Sequence, residues 1–289
     1  MKAQLVEAYR GRLLEGPMWH EDEQSLRFVD IKKGILYRYH PKTKETTTIS
    51  FDENVTFVAP TTDQQLLVST RNALWFVDPK TGHKEKFVQF TDFDDALRFN
   101  DGGIDPFGRL WIGTMNEDEQ TPNAKLYVVD ATGHVHVAKE GLTISNGLAW
   151  NKKGDTMYAI DTPTEQVRAY PFDAETLTLG EGHVVYDFKE VDGSPDGMTI
   201  DANDHLWVAL WGGRRIECID PTTSDIVETV ALPVANITSC AFQPGTSNLY
   251  ITTASEGLTD TQKAAQQDAG SLFKTTTNET AAPIYRFEK

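Results

Sequence analysis

The chain has 289 residues and a formal net charge of −16, with 27 Lys and Arg against 43 Asp and Glu. That balance disfavours nucleic acid and anionic membrane surfaces, both of which need clustered Lys and Arg. Residues of hydrophobic type make up 39% and aromatics 10%, enough for a sizeable core and against disorder, and no apolar run reaches the roughly 18 residues needed to cross a bilayer.

In chain order, residues 1–7 carry no apolar core and no small-residue cleavage site, so no secretory leader is expected. Residues 4–9 read as a strand. Short stretches rich in Val, Ile, Tyr, Phe and Trp then follow at 25–31, 35–39, 65–69, 73–77, 110–113, 125–129, 156–160, 167–170, 206–210, 215–219 and 249–253, each bounded by Gly, Pro, Asp or Asn. Turn signals such as Pro41-Lys42-Thr43-Lys44, Asp78-Pro79-Lys80-Thr81-Gly82 and Asp220-Pro221-Thr222-Thr223 recur at one place, after what would be a third strand. The best helical window is 259–268, a short excursion within a loop. Residues 282–287 read as a last strand. The two cysteines, Cys218 and Cys240, sit in apolar strand-like sequence; buried free thiols suit a reducing cytoplasm.

One phrase organises these elements: a polar residue, a small residue, an apolar step, a turn, then an apolar strand. Its clearest copies, Asn100-Asp101-Gly102-Gly103-Ile104-Asp105 and Asp196-Gly197-Met198-Thr199-Ile200-Asp201, align without a gap through Trp111 and Trp207. Others open at Glu15, Thr56, Asn146 and Thr238, so the leading positions are separated by 41, 44, 46, 50 and 42 residues. A repeat in the forties with several short strands per unit marks a β-propeller. The expected architecture is a six-bladed all-β propeller over residues 1–289, a single domain of four antiparallel strands per blade, with the terminal strands sharing and closing the last blade.

Equal ranks of a closed ring converge on its channel. Glu15, Thr56, Asn100, Asn146, Asp196 and Thr238 would then line one mouth, and two carboxylates beside two amides are costly there without a cation. All-oxygen donors favour Ca²⁺, Mg²⁺ or Mn²⁺, with Zn²⁺ admissible at open positions. Residues that merely cap turns would repeat one type at every rank, whereas these diverge. His134-Val135-His136 has no third ligand nearby and reads as an exposed hairpin edge. His205 reads as a solvated turn residue. Ser145 and Ser194 lie in no nucleophile elbow.

The stretches Glu15-Gly16-Pro17-Met18-Trp19, Arg98-Phe99-Asn100-Asp101-Gly102, Ser145-Asn146-Gly147-Leu148 and Pro195-Asp196-Gly197-Met198 closely resemble the senescence marker protein/gluconolactonase/regucalcin family. The likeness continues through Thr238-Ser239-Cys240-Ala241-Phe242 to Ala269-Gly270-Ser271-Leu272-Phe273 and so covers nearly the whole chain. It departs at Gln243-Pro244, where the family has Gly-Gly, and across 116–123. The resemblance implies a six-bladed propeller with one divalent cation held by Glu15, Asn146 and Asp196, and substrate bound by Arg98 and Asn100. Asp118, in the divergent segment, is a further candidate substrate contact.

The expected activity is metal-dependent opening of a sugar lactone, a small-molecule substrate, with Asp196 activating water. A phosphotriesterase or esterase on the same scaffold, or a non-catalytic calcium-binding regulator, are the competing readings. A monomer or weak homo-oligomer is expected.

Overall fold

The computed structural model describes residues 1–91 and 93–289. Six antiparallel sheets stand around a common channel, five of four strands and one of five, each with the first strand of its meander innermost. The innermost strands are Leu14–His20, Val55–Pro60, Leu97–Ile104, Ser145–Trp150, Ser194–Ile200 and Asn236–Phe242, in blades 1 to 6. The strands expected between residues 4 and 253 are all present, and the recurrent turn signals join third to fourth strands. Blade 4 explains the longest repeat: its third strand, Gln166–Asp173, pairs with both Thr178–Leu179 and His183–Asp187. The loop helix is Asp260–Ala265, opened by a capping box between Thr259 and Gln262. Among the described residues no helix is long and apolar enough to cross a membrane.

The core lies between the sheets. Indole and phenyl rings from successive blades interlock there, as in Trp111 against Trp150 at 5.9 Å between blades 3 and 4, and Trp207 against Phe242 at 5.5 Å between blades 5 and 6. At the channel's lower end a carboxylate recurs as a brace. Buried Asp105 accepts hydrogen bonds from the backbone of Phe107 and Arg109 and from Trp111 Nε1 at 3.0 Å. In blade 5, Asp201 does the same for Asn203, His205 and Trp207 Nε1.

Ring closure combines the two ends of the chain. The amino-terminal strand Gln4–Glu7 pairs with Leu272–Thr276, the third strand of blade 6. The strand expected at 282–287 does not form. The outer edge of blade 6 is already taken by Gln4–Glu7, and Pro283 lacks a backbone donor. These last residues instead cross the lower end of the ring as a strap. Ala202 N donates to Thr280 O, Thr62 N to Phe287 O and Glu288 N to Gly108 O, at 2.8–2.9 Å, tying blades 5, 2 and 3, while Arg286 forms ion pairs with Glu21 and Asp22 of blade 1. The strap floors a cavity of about 210 Å³ in the lower channel, walled by Trp19, Phe57, Trp150, Met198 and Phe242.

Phe287 is the strap's anchor, fully buried against Phe76 and Phe87. Truncating a buried Phe to Ala costs about 3–5 kcal/mol, so Phe287→Ala should lower the urea midpoint by that equivalent. Arg286→Ala, which removes a partly exposed ion pair, should cost about 1 kcal/mol or less.

Candidate active site

All six innermost strands slip register where the repeat begins. The pairing shifts between Glu15 and Met18, Val55 and Phe57, Phe99 and Gly102, Asn146 and Leu148, Pro195 and Met198, and Ile237 and Ser239. A bulge turns a side chain out of strand alternation; here, at each blade's upper end, it presents the leading residue to the channel. Glycines make the tight passage beside it. Gly147 has φ +20°, and a Cβ there would come within 2.7–2.9 Å of Ile160, Met198 and the Asp196 carbonyl. The approach to two of these bulges is braced by carboxylates at the tops of second strands. Asp30 accepts from Arg12 N and Leu13 N, just before Glu15, and Asp161 accepts from Thr143 N and Ile144 N, just before Asn146.

The channel gathers Glu15, Asn100, Asn146 and Asp196, with Arg98 beside them. Asn100 Nδ2 donates to Asn146 Oδ1 at 3.0 Å and to the Ser145 carbonyl at 2.9 Å. Arg98, 4% exposed, donates from one terminal nitrogen to Asn100 Oδ1 and the Phe99 carbonyl, both at 2.9 Å. Asn146 Nδ2 reaches Thr162 Oγ1 at 2.8 Å, and that hydroxyl donates to the Pro195 carbonyl, one residue before Asp196. Thr56 and Thr238 belong to the wall: their hydroxyls bond Ser69 Oγ, and Leu14 O with Thr252 Oγ1, respectively.

The site contains a third carboxylate that the first rank of the repeat does not include. Asp101 is pushed up to about 6 by loss of water, against the pull of backbone N–H groups from Gly102 and Gly147. Loss of water, then the charge of Asp101, pushes Glu15 up to about 8. Asp196 is raised well above its usual range by burial and then by Glu15 and Asp101. The available signal was the second rank itself. Gly16, Phe57, Gly147, Gly197 and Ser239 stand where blade 3 alone places a carboxylate.

Asp118 does not join the others. It is exposed, and its carboxylate closes its own turn by accepting from Gln120 N, Thr121 N and Thr121 Oγ1. Its neighbour Glu117 instead faces the mouth, 4.0 Å from Arg98 Nε and 3.4 Å from Arg71. His205 is not solvated as expected: its Nδ1 lies 3.3 Å from Asp201 Oδ2. Ligand atoms of Asp201, His205 and Cys218 fall within 4.8 Å of one another, but both Asp201 oxygens already brace the turn and Trp207. Arg109 occupies the place of His205 in blade 3, so this group reads as scaffold. Both cysteines are buried and free.

A family model described as "SMP-30/Gluconolactonase/LRE-like region" matches residues 13–255. Over 274 residues the chain is 36% identical to a Bacillus subtilis (strain 168) protein that carries the provisional name sugar lactone lactonase YvrE, covering 94% of each. Regucalcin of Xenopus laevis is 30% identical over 282 residues, 96% of this chain and 94% of that one. The crystal structure of a calcium-binding protein, regucalcin from Agrobacterium tumefaciens str. C58, superposes with a TM-score of 0.93 at 25% identity, over 99% of this chain and 97% of that one.

The raised carboxylates give the metal-free protein a distinctive pH response. Between the ordinary carboxylate value of 4.5 and about 8 for Glu15, and between 3.8 and about 6 for Asp101, the folded state holds more protons than the unfolded one. Stability is therefore lost as pH rises through this window. Chelator-treated protein should melt at lower temperature at pH 8 than at pH 5.5. Glu15→Gln should flatten that slope and raise the pH 8 melting temperature by roughly 2–4 °C; an unchanged slope would remove Glu15 as its source.

Proposed function

Because the chain belongs to the SMP-30/Gluconolactonase/LRE-like family, we propose that it is a divalent-metal-dependent hydrolase that opens a sugar lactone to the corresponding hydroxy acid. The observation that carries this reading is the convergence of Glu15, Asp101 and Asp196 with the Asn100–Asn146 amide pair and Arg98 at one channel mouth. Three water-deprived carboxylates, with Arg98 the cation acting on Glu15 and Asp196, have an oxygen donor set that fits a hard dication. Glu15, Asn146 and Asp196 would hold it. When bound, it supplies Lewis acidity toward the lactone carbonyl.

The chain's own groups account for the remaining chemistry. Asp196 takes a proton from the water that attacks the carbonyl carbon. The ring C–O bond then breaks, and the proton returns to the departing ring oxygen, so one water and one lactone yield one hydroxy acid. Burial and like charge raise the proton affinity of Asp196 in the metal-free site, and a bound dication would lower it again. Asp101, fixed by two backbone N–H groups, keeps negative charge beside Glu15 and Asp196. Asn100 locks the orientation of the Asn146 carbonyl oxygen. Arg98 has donors left over, and its fork suits sugar oxygens.

Calcium binding is named for one of the similar proteins, and a binding-only protein would share the acidic cluster. The Arg98 guanidinium favours the enzyme reading, because an ion buffer does not need a buried cation aimed at its mouth. Asp196→Ala should reduce kcat on a sugar lactone by roughly a thousandfold or more, and chelation should abolish turnover while lowering the melting temperature. Activity of Asp196→Ala within tenfold of the parent would remove Asp196 from its assigned role. A panel of lactones and one phosphotriester, each with Mg²⁺, Ca²⁺, Mn²⁺ and Zn²⁺, separates lactonase from phosphotriesterase; binding of Ca²⁺ without any turnover would leave the regulator.

A further inference from the structure

Lys32 lies in the 3-10 turn Ile31–Lys33, at the top of blade 1 between its second and third strands. That turn packs against Val55–Pro60, the innermost strand of blade 2, so Lys32 lies at the channel rim rather than on the outer wall. Lys33 turns away, donating to the Arg10 carbonyl at 3.0 Å. The Lys32 ammonium, only partly exposed, has no hydrogen bond or ion pair among the described residues.

Its surroundings are charged on both sides. Burial and then the positive charge of Arg98 hold Lys32 below the ordinary lysine range, against the opposing pull of Glu117 and Glu256. Those carboxylates have other partners: Glu256 takes a two-pronged pair from Arg12, and Glu117 lies 3.4 Å from Arg71. Arg98 is likewise incompletely satisfied. Its Nε is buried without a hydrogen-bond partner, and a carboxylate oxygen of Glu117 stands 4.0 Å away. Four cations (Arg12, Lys32, Arg71 and Arg98) thus act at this rim beside Glu117, Glu119 and Glu256, while Glu15 and Asp196 face Arg98 from the channel side. The chain as a whole carries −16. These two poorly hydrated cations, Lys32 and Arg98, repel one another; Lys32 has no contacting carboxylate, and Arg98 has only the long approach of Glu117.

We infer that Lys32 and Arg98 form a subsite for an anionic group carried by the substrate away from its lactone carbonyl, so that the preferred lactone is an acidic one bearing a carboxylate or phosphate. Arg98 offers the planar fork for such an oxyanion and Lys32 the point charge. With the carbonyl at the Glu15–Asn146–Asp196 cluster, the sugar would extend over blades 2 and 3 toward this pair. The inference deepens the lactonase reading and rests on it for the identity of the reacting group, but not for the anion site.

The test compares kcat/KM for a neutral aldonolactone with that for a carboxylated aldarolactone and a 6-phosphoaldonolactone, in the parent, Lys32→Met and Lys32→Glu. At least one acidic lactone should be preferred over the neutral one by roughly 10- to 100-fold. Lys32→Met should lower the acidic-to-neutral ratio tenfold or more through KM, and Lys32→Glu should lower it further. The preference should also shrink with added salt. Which acidic substrate shows the effect distinguishes carboxylate from phosphate. A neutral preference in the parent, or a ratio unmoved by Lys32→Glu, overturns the subsite. If no lactone is turned over, calorimetry with glucitol 6-phosphate, glucarate and glucitol decides the point independently of hydrolysis. Tighter binding of an anion, lost in Lys32→Glu, sustains the subsite while the lactonase reading fails; equal binding of all three sinks it.

Discussion

The site depends on a slip in strand pairing that every blade repeats. A regular strand alternates its side chains between two faces, and in a propeller both faces of a sheet lie against neighbouring blades. No regular innermost strand could aim a polar group down the channel without exposing an apolar one at the next position. The bulge near residues 15, 56, 100, 146, 196 and 238 breaks the alternation once per blade. It leaves the interblade core undisturbed on either side. Backbone N–H groups at these bulges then become donors to the carboxylates, as Gly16 N does to Glu15 and Gly102 N to Asp101.

From this follows a division of labour among the blades. Blades 2 and 6 place hydroxyls at the leading rank and spend them on wall hydrogen bonds. Blades 1, 3, 4 and 5 place acids and amides there; the amides pair with each other, and the acids are left in mutual conflict. The conflict is electrostatic: Asp101 raises the proton affinity of Glu15, both raise that of Asp196, and Arg98 offsets only part of it. Such an arrangement stores unfavourable energy that a bound dication would relieve, which is the sense in which a functional site is a local departure from a stable fold.

Much of this could be read from the sequence, and the reason is periodicity. A closed ring makes rank equivalent to position, so Glu15, Asn100, Asn146 and Asp196 are visible as a set without coordinates, whereas Arg98 came from the family resemblance. Asp101 escapes because it stands at the second rank, where glycines in three blades look like mere spacers. Glu117 and Lys32 escape for a different reason: they sit in top loops, which the repeat does not govern. Asp118 was the acid most open to view in its segment, but it is consumed by turn geometry. The last residues misled because alternation of apolar and polar groups signals a strand only where an unpaired edge is available, and Gln4–Glu7 had already taken it.

The strap at the carboxyl end changes the kind of folding unit the protein is. Blades that touch only their two neighbours behave as an open array, in which stability accumulates locally and an end can fray. Here residues near one terminus lace blade 6 shut, while residues near the other bind blades 5, 1, 2 and 3 across the floor. Contacts that skip neighbours couple distant blades directly. Loss of any one blade then withdraws support from sheets it does not touch, and the array becomes an all-or-none assembly.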